Sequence, residues 1–115
     1  VQIYVSGLTE LIPLAKKAGL PLKTALDILC TGPAGLPVVR DRIPKIMGDD
    51  ATVGFTNSGT AKDNDVFRKI LHHFDMKSPM LEGFDRQRAF SEKMGLAERD
   101  PAELIRAAYD VSEAT

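Results

Sequence analysis

Apolar residues recur along this chain with helical spacing almost from its first position. Val66, Phe67, Ile70, Leu71 and Phe74 stand three, four, seven and eight residues apart, the spacing that stacks side chains on one face of a helix. Such a face is expected to be buried. At 100° per residue Asp63 falls near the centre of the same stripe and Lys62 near its flank, so the head of an apolar face carries a charged pair. The punctuation is helical throughout. Gly19, Gly32, Gly48 and Gly95 each follow a periodic segment where a left-handed C-terminal cap would sit. Pro21, Pro79 and Pro101 stand where helices could begin, and Ser78 and the Asp100/Glu103 pair read as N-terminal caps. The pattern predicts six helices, at about 1–18, 22–31, 35–47, 58–75, 79–94 and 101–111, with kinks at Pro13 and Pro44. No stretch alternates strictly enough for a strand. The expected fold is all-α, one compact domain over residues 1–115.

Composition narrows the function classes. A chain of 115 residues has length for one modest core. Fifteen basic residues against sixteen acidic ones leave a formal net charge of −1, which argues against nucleic acid or an anionic membrane as partner. No apolar run approaches the roughly 20 residues of a membrane span. The opening lacks a charged-then-apolar leader, so a cytoplasmic location is expected. The chain also opens within a periodic apolar pattern and without Met, as a fragment of a longer protein would. Cys30, the only cysteine, closes an apolar helix with no histidine nearby in sequence, and reads as an inert thiol. His72 and His73 turn away from the apolar stripe with no further ligand at metal-binding spacing, so no metal site is expected.

Chemistry-bearing motifs are few. There is no G-x-G-x-x-G, no phosphate loop, no H-E-x-x-H and no C-x-x-C. What remains is the charged pair. If Thr60 caps the helix, Asp63 is its third residue and serves the cap; Lys62 in a first turn would then oppose the helix dipole. Lys62 is then either a solvated flank residue or points into a cleft towards an anion. The first helix poses a similar choice. Val1, Ile3, Tyr4, Val5, Leu8, Leu11 and Ile12 make it apolar over much of its circumference, so it either forms the centre of the domain's core or invites a partner.

"LTELIPLAKKAGLPLKTALDIL", "GFTNSGTAKDNDVFRKI" and "KSPMLEGFDRQRAFSEKMGLAERDPAELIRA" together resemble the C-terminal helical domain of the β-hydroxyacid dehydrogenases, the family of 3-hydroxyisobutyrate dehydrogenase. Glu10, Gly19, Phe55, Lys62-Asp63, Pro79, Gly95 and Asp100 occupy the family's pattern in order. The resemblance implies a fold like that of the 6-phosphogluconate dehydrogenase C-terminal domain. It implies NAD or NADP in the full-length enzyme, held by an N-terminal Rossmann domain, and no cofactor for this chain alone. Phe55, Lys62 and Asp63 would line the cofactor or substrate cleft, and the family's catalytic lysine would lie upstream of Val1. Relatives are dimers or higher homo-oligomers joined through these helices. The leading expectation is therefore a substrate-pocket and dimerisation domain of an NAD(P)-dependent β-hydroxyacid dehydrogenase, not catalytic by itself. The alternative is a stand-alone helical self-association module without enzyme activity.

Overall fold

A computed structural model of the chain describes residues 1–112. Among them there is no strand. Seven helices follow one another: α1 (Gln2–Lys17), α2 (Leu22–Cys30), α3 (Pro37–Arg40), α4 (Ile43–Met47), α5 (Asn57–His73), α6 (Pro79–Lys93) and α7 (Ala102–Val111). The count exceeds the expected six because the third predicted helix is two. Pro44 does not kink a continuous helix. It stands in the first turn of α4, where its missing N–H costs nothing. Pro13 lies inside α1, which continues to Lys17.

The helices divide into two compact units: residues 1–52 with residues 101–112, and residues 53–100. In the first unit each long helix turns an apolar stripe to a common core. Val5, Leu8 and Ile12 come from α1, Leu22 and Leu26 from α2, and Ala102, Ile105 and Tyr109 from α7, joined by Val39 and Ile46. Leu26, Ile46 and Ile105 are fully buried, each worth about 1.5–3 kcal/mol of transfer free energy. Polar groups at the core's edge are paired. The Tyr109 hydroxyl donates to the Leu20 carbonyl at 2.7 Å, the Lys16 ammonium lies 4.8 Å from the centre of the Tyr109 ring, and Arg106 donates to the Met47 carbonyl at the end of α4. The choice posed by the first helix resolves by face. Val5, Leu8 and Ile12 are in the core, while Ile3, Leu11 and Leu14 are exposed.

The second unit is built on α5 and α6, and here the expected burial is reversed. The apolar stripe of α5 faces outward: Phe67 is 58% exposed and Ile70 49%, and Val66 and Phe74 are exposed with them. The buried face is the opposite one, with Asn57, Ala61 and Asn64 at i, i+4 and i+7. From α6 the buried residue is Ser91. Small and polar side chains let the two helices meet, and half-exposed charges line the seam. Arg68 pairs with Asp65 at 2.6 Å and with Asp85, and Arg88 with Asp65 at 3.4 Å and Glu92 at 3.3 Å. Each such pair contributes about 0–1 kcal/mol, so the set aligns the helices more than it stabilises them. Some ends follow the sequence signals, but the N-cap of α7 is Pro101, one residue past the expected Asp100. Ser78 accepts the Leu81 N–H as the cap of α6. Gly19, Gly48 and Gly95 are left-handed as expected of C-terminal caps, whereas Gly32, which follows the α2 C-cap Thr31, is not.

Candidate functional site at the start of α5

The start of α5 decides how the charged pair is to be read. The cap is Thr56, not Thr60: its hydroxyl accepts the Gly59 N–H at 2.9 Å. The helix therefore begins at Asn57, and Lys62 and Asp63 are its sixth and seventh residues. Asp63 lies too deep to complete a cap, and Lys62 is beyond the turn where the helix dipole acts most strongly. Both capping arguments fall with the shift of four residues.

The first-turn donors of α5 are already spent. The Asn57 N–H donates to the Arg99 carbonyl at 2.9 Å and the Ser58 N–H to the Ala97 carbonyl at 2.8 Å, with the Gly59 N–H on Thr56. A helix start with free N–H groups can cradle a phosphate. This one is closed by protein oxygens. The Asn57 side chain tightens the closure, its Nδ2 donating to the Leu96 carbonyl at 2.9 Å and the Arg99 carbonyl at 3.1 Å.

Phe55 stands on the connection just before the cap. Its ring is half exposed, and the ring edge reaches over Gly59. A Cβ on Gly59 would stand 3.0 Å from Phe55 Cζ and 3.1 Å from the Thr56 hydroxyl oxygen. A glycine in a first helical turn costs roughly 1 kcal/mol against alanine; here it makes room for the ring. The preceding amide is tethered as well. Asp100 is buried, 3% exposed, and its Oδ2 accepts the Gly54 N–H at 3.1 Å.

Lys62 lines a cleft of about 140 Å³ with Ser58, Ala61, Arg88, Ser91 and Glu92. The lining carries two cations and one carboxylate, with Arg88 already paired to Glu92. Small-molecule pockets occupy roughly 300–1,000 Å³. This cleft is smaller than such pockets. Asp63 is exposed on the outward side of α5, and neither it nor Phe55 is part of the cleft lining. The structure thus places Phe55 and Lys62 within the first two turns around the start of α5 and turns Asp63 to the outer face. Asn57, Gly59, Arg88 and Asp100 join the site without having been expected there. The Thr56-x-x-Gly59 cap was visible in sequence, but its partners Ala97 and Arg99 lie some forty residues away. Among the described residues no group of three His, Cys, Asp or Glu side chains could hold a metal ion, and no helix is long and apolar enough to cross a membrane.

The family model described as "NAD-binding of NADP-dependent 3-hydroxyisobutyrate dehydrogenase" matches residues 1–108. The chain belongs to this family. It is thus a domain related to the 3-hydroxyisobutyrate dehydrogenases, oxidoreductases whose family description carries NAD(P) binding. The match takes in both units, the core of α1 and α7 as well as the start of α5. Comparison with curated proteins gives no match.

Proposed function

We propose that this chain is the helical domain that closes the substrate and nicotinamide cleft of an NAD(P)-dependent β-hydroxyacid dehydrogenase. The observation that carries the reading is the family match over residues 1–108, combined with an unspent cation, Lys62, in the cleft at the start of α5. The whole enzyme would oxidise a small 3-hydroxy acid or reduce the matching semialdehyde. Its cofactor, when bound by a Rossmann domain, supplies the hydride acceptor, and proton transfer belongs to a lysine upstream of Val1.

The part played by this chain follows from its own side chains. Lys62, beside Ser58 and Arg88, offers a positive charge to the carboxylate of a hydroxy acid. Phe55, whose ring overhangs Gly59, is an apolar cover that keeps water from the reacting carbon. Asp63 faces outward and would meet the cleft from the side of the cofactor domain. The fold would be of the 6-phosphogluconate dehydrogenase C-terminal kind, with residues 1–115 acting as one domain in a cytoplasmic enzyme.

The outward apolar faces of α1 and α5 favour a second role, which also serves the alternative of a self-associating module. Ile3, Leu11 and Leu14 on α1, and Val66, Phe67, Ile70 and Phe74 on α5, are too many to stand in water unattended. In the dehydrogenase reading these faces carry the dimer or tetramer contact and the seat of the cofactor domain. The deciding experiment supplies the full-length natural protein with a panel of 3-hydroxy acids and either NAD⁺ or NADP⁺ and follows reduced cofactor. Turnover of one acid is the expected result. A purified, folded protein that reduces neither cofactor overturns the dehydrogenase reading, and sedimentation of the same sample then tests the module.

A further inference from the structure

We propose that Asp100 is a positioning residue for the cleft, holding the Phe55 loop over the start of α5. The inference rests on the dehydrogenase reading for its catalytic consequence and on geometry alone for the rest. Val53, Gly54 and Phe55 are exposed. An exposed tripeptide of this kind samples many conformations unless something ties its backbone down. The tie is the Gly54 N–H, which donates at 3.1 Å to Oδ2 of a carboxylate 46 residues further along the chain. A carboxylate buried to 3% exposure is costly unless its oxygens are used, so the bond is directed and not incidental.

The next residues continue the same clasp. The Asn57 side chain holds the carbonyls of Leu96 and Arg99, and the Asn57 and Ser58 amides hold Arg99 and Ala97. The strand of chain from Leu96 to Asp100 therefore grips α5 at its first turn and the loop just before it. Between the two grips lies Phe55, with Gly59 beneath the ring. Asp100 acts on the loop through the backbone of Gly54. Gly59 completes the device from the other side, since any side chain there lifts the ring.

The test uses Asp100→Ala, Asp100→Asn and Gly59→Ala in the full-length natural protein. Amide hydrogen exchange is read over residues 52–59, and kcat and KM are read with the best 3-hydroxy acid. With Asp100→Ala the Gly54 amide is expected to exchange about tenfold faster, while α6 keeps its protection. Turnover efficiency, kcat/KM, falls about tenfold, and Asp100→Asn, which keeps an acceptor oxygen, restores part of both. If Asp100→Ala fails to fold, Asp100→Asn, which keeps an acceptor oxygen for the Gly54 N–H, still reads exchange at Gly54 and kcat/KM in a folded protein. Gly59→Ala, which crowds both the ring and the Thr56 cap, is expected to lower kcat/KM as well. Unchanged exchange at Gly54 in Asp100→Ala overturns the proposal, as does faster exchange with unaltered kcat/KM. Loss of protection across the whole of α6 would make Asp100 merely structural and overturn it too. If the parent protein turns over no 3-hydroxy acid, the dehydrogenase reading falls with the catalytic half of this proposal, and exchange at Gly54 still decides the positional half.

Discussion

The two units of this chain use the same amphipathic spacing to opposite ends. In the first, the stripe on α7 is buried: Ile105 is 1% exposed and packs with Leu8, Leu26 and Ile46. In the second, an equally regular stripe on α5 faces outward, and the helix is held by Asn57, Ala61 and Asn64 on its other side. The first unit has the anatomy of a self-sufficient core. The second leaves the apolar stripe of its longest helix exposed. A periodic apolar face therefore predicts a helix; it does not predict which face is buried.

The largest expected effect breaks that comparison directly. Ile105→Ala should cost about 2–5 kcal/mol in urea unfolding of this chain, because the side chain leaves a cavity in a packed core. Ile70→Ser, on the outward stripe, should change stability by no more than about 0.5 kcal/mol. Equal losses would mean that α5 buries its stripe after all. A second variant probes the polar interior of unit two. Asn64 is 4% exposed and its Oδ1 has no protein partner. Asn64→Leu should stabilise the chain by roughly 1–2 kcal/mol, since an unpaired buried amide is replaced by a side chain of similar size. Destabilisation would show that the amide is satisfied and belongs to the packing.

A smaller gain is expected where α5 ends. Its last turn closes with the Asp75 N–H on the His72 carbonyl and the Met76 N–H on the Leu71 carbonyl, with Asp75 left-handed at φ 54°. Glycine fills this place after α1 and α6. Asp75→Gly should raise stability by about 0.5–1 kcal/mol, read as a higher midpoint in thermal unfolding. The smallest effect lies in unit one. The Thr52 hydroxyl and amide, with Lys45, hold the Asp50 carboxyl below its ordinary 3.8. A carboxyl depressed in the folded state stabilises it above the unfolded value, and that share is lost as pH falls through the lowered value. Asp50→Asn should therefore flatten the stability profile below pH 3.8 and leave its shape near neutrality alone. An identical acid limb in both proteins would contradict this.

Much of the fold was legible because its signals are local. The left-handed glycines after α1, α4 and α6, the Ser78 cap and the all-helical composition each depend on a few neighbouring residues. The errors share a different cause. Thr56 and Thr60 are both competent caps by type. The choice fell to Thr56 because the Asn57 and Ser58 amides find carbonyls at Arg99 and Ala97, a pairing that no window around α5 contains. The same long-range clasp moved Lys62 and Asp63 four positions deeper into the helix than expected. Likewise the covering of α5 depends on Ser91 of α6, a small polar residue whose value lies in letting helices approach. Pro44 could kink or begin a helix, and only the break at Asp41-Arg42 distinguishes the two. Of the candidate site, Phe55, Lys62 and Asp63 came from the resemblance alone. The Asp100 bond to the Gly54 amide spans 46 residues and has no local signal.

The central claim is that the start of α5 serves a hydroxy-acid cleft through Lys62. Steady-state kinetics of Lys62→Ala in the full-length natural protein test it most directly, with circular dichroism as the check on folding. The account predicts a kcat/KM lower by about tenfold or more at unchanged helical content, because one charge-assisted contact to the substrate carboxylate is gone. Unchanged kinetics would contradict it and return Lys62 to the solvated surface of α5.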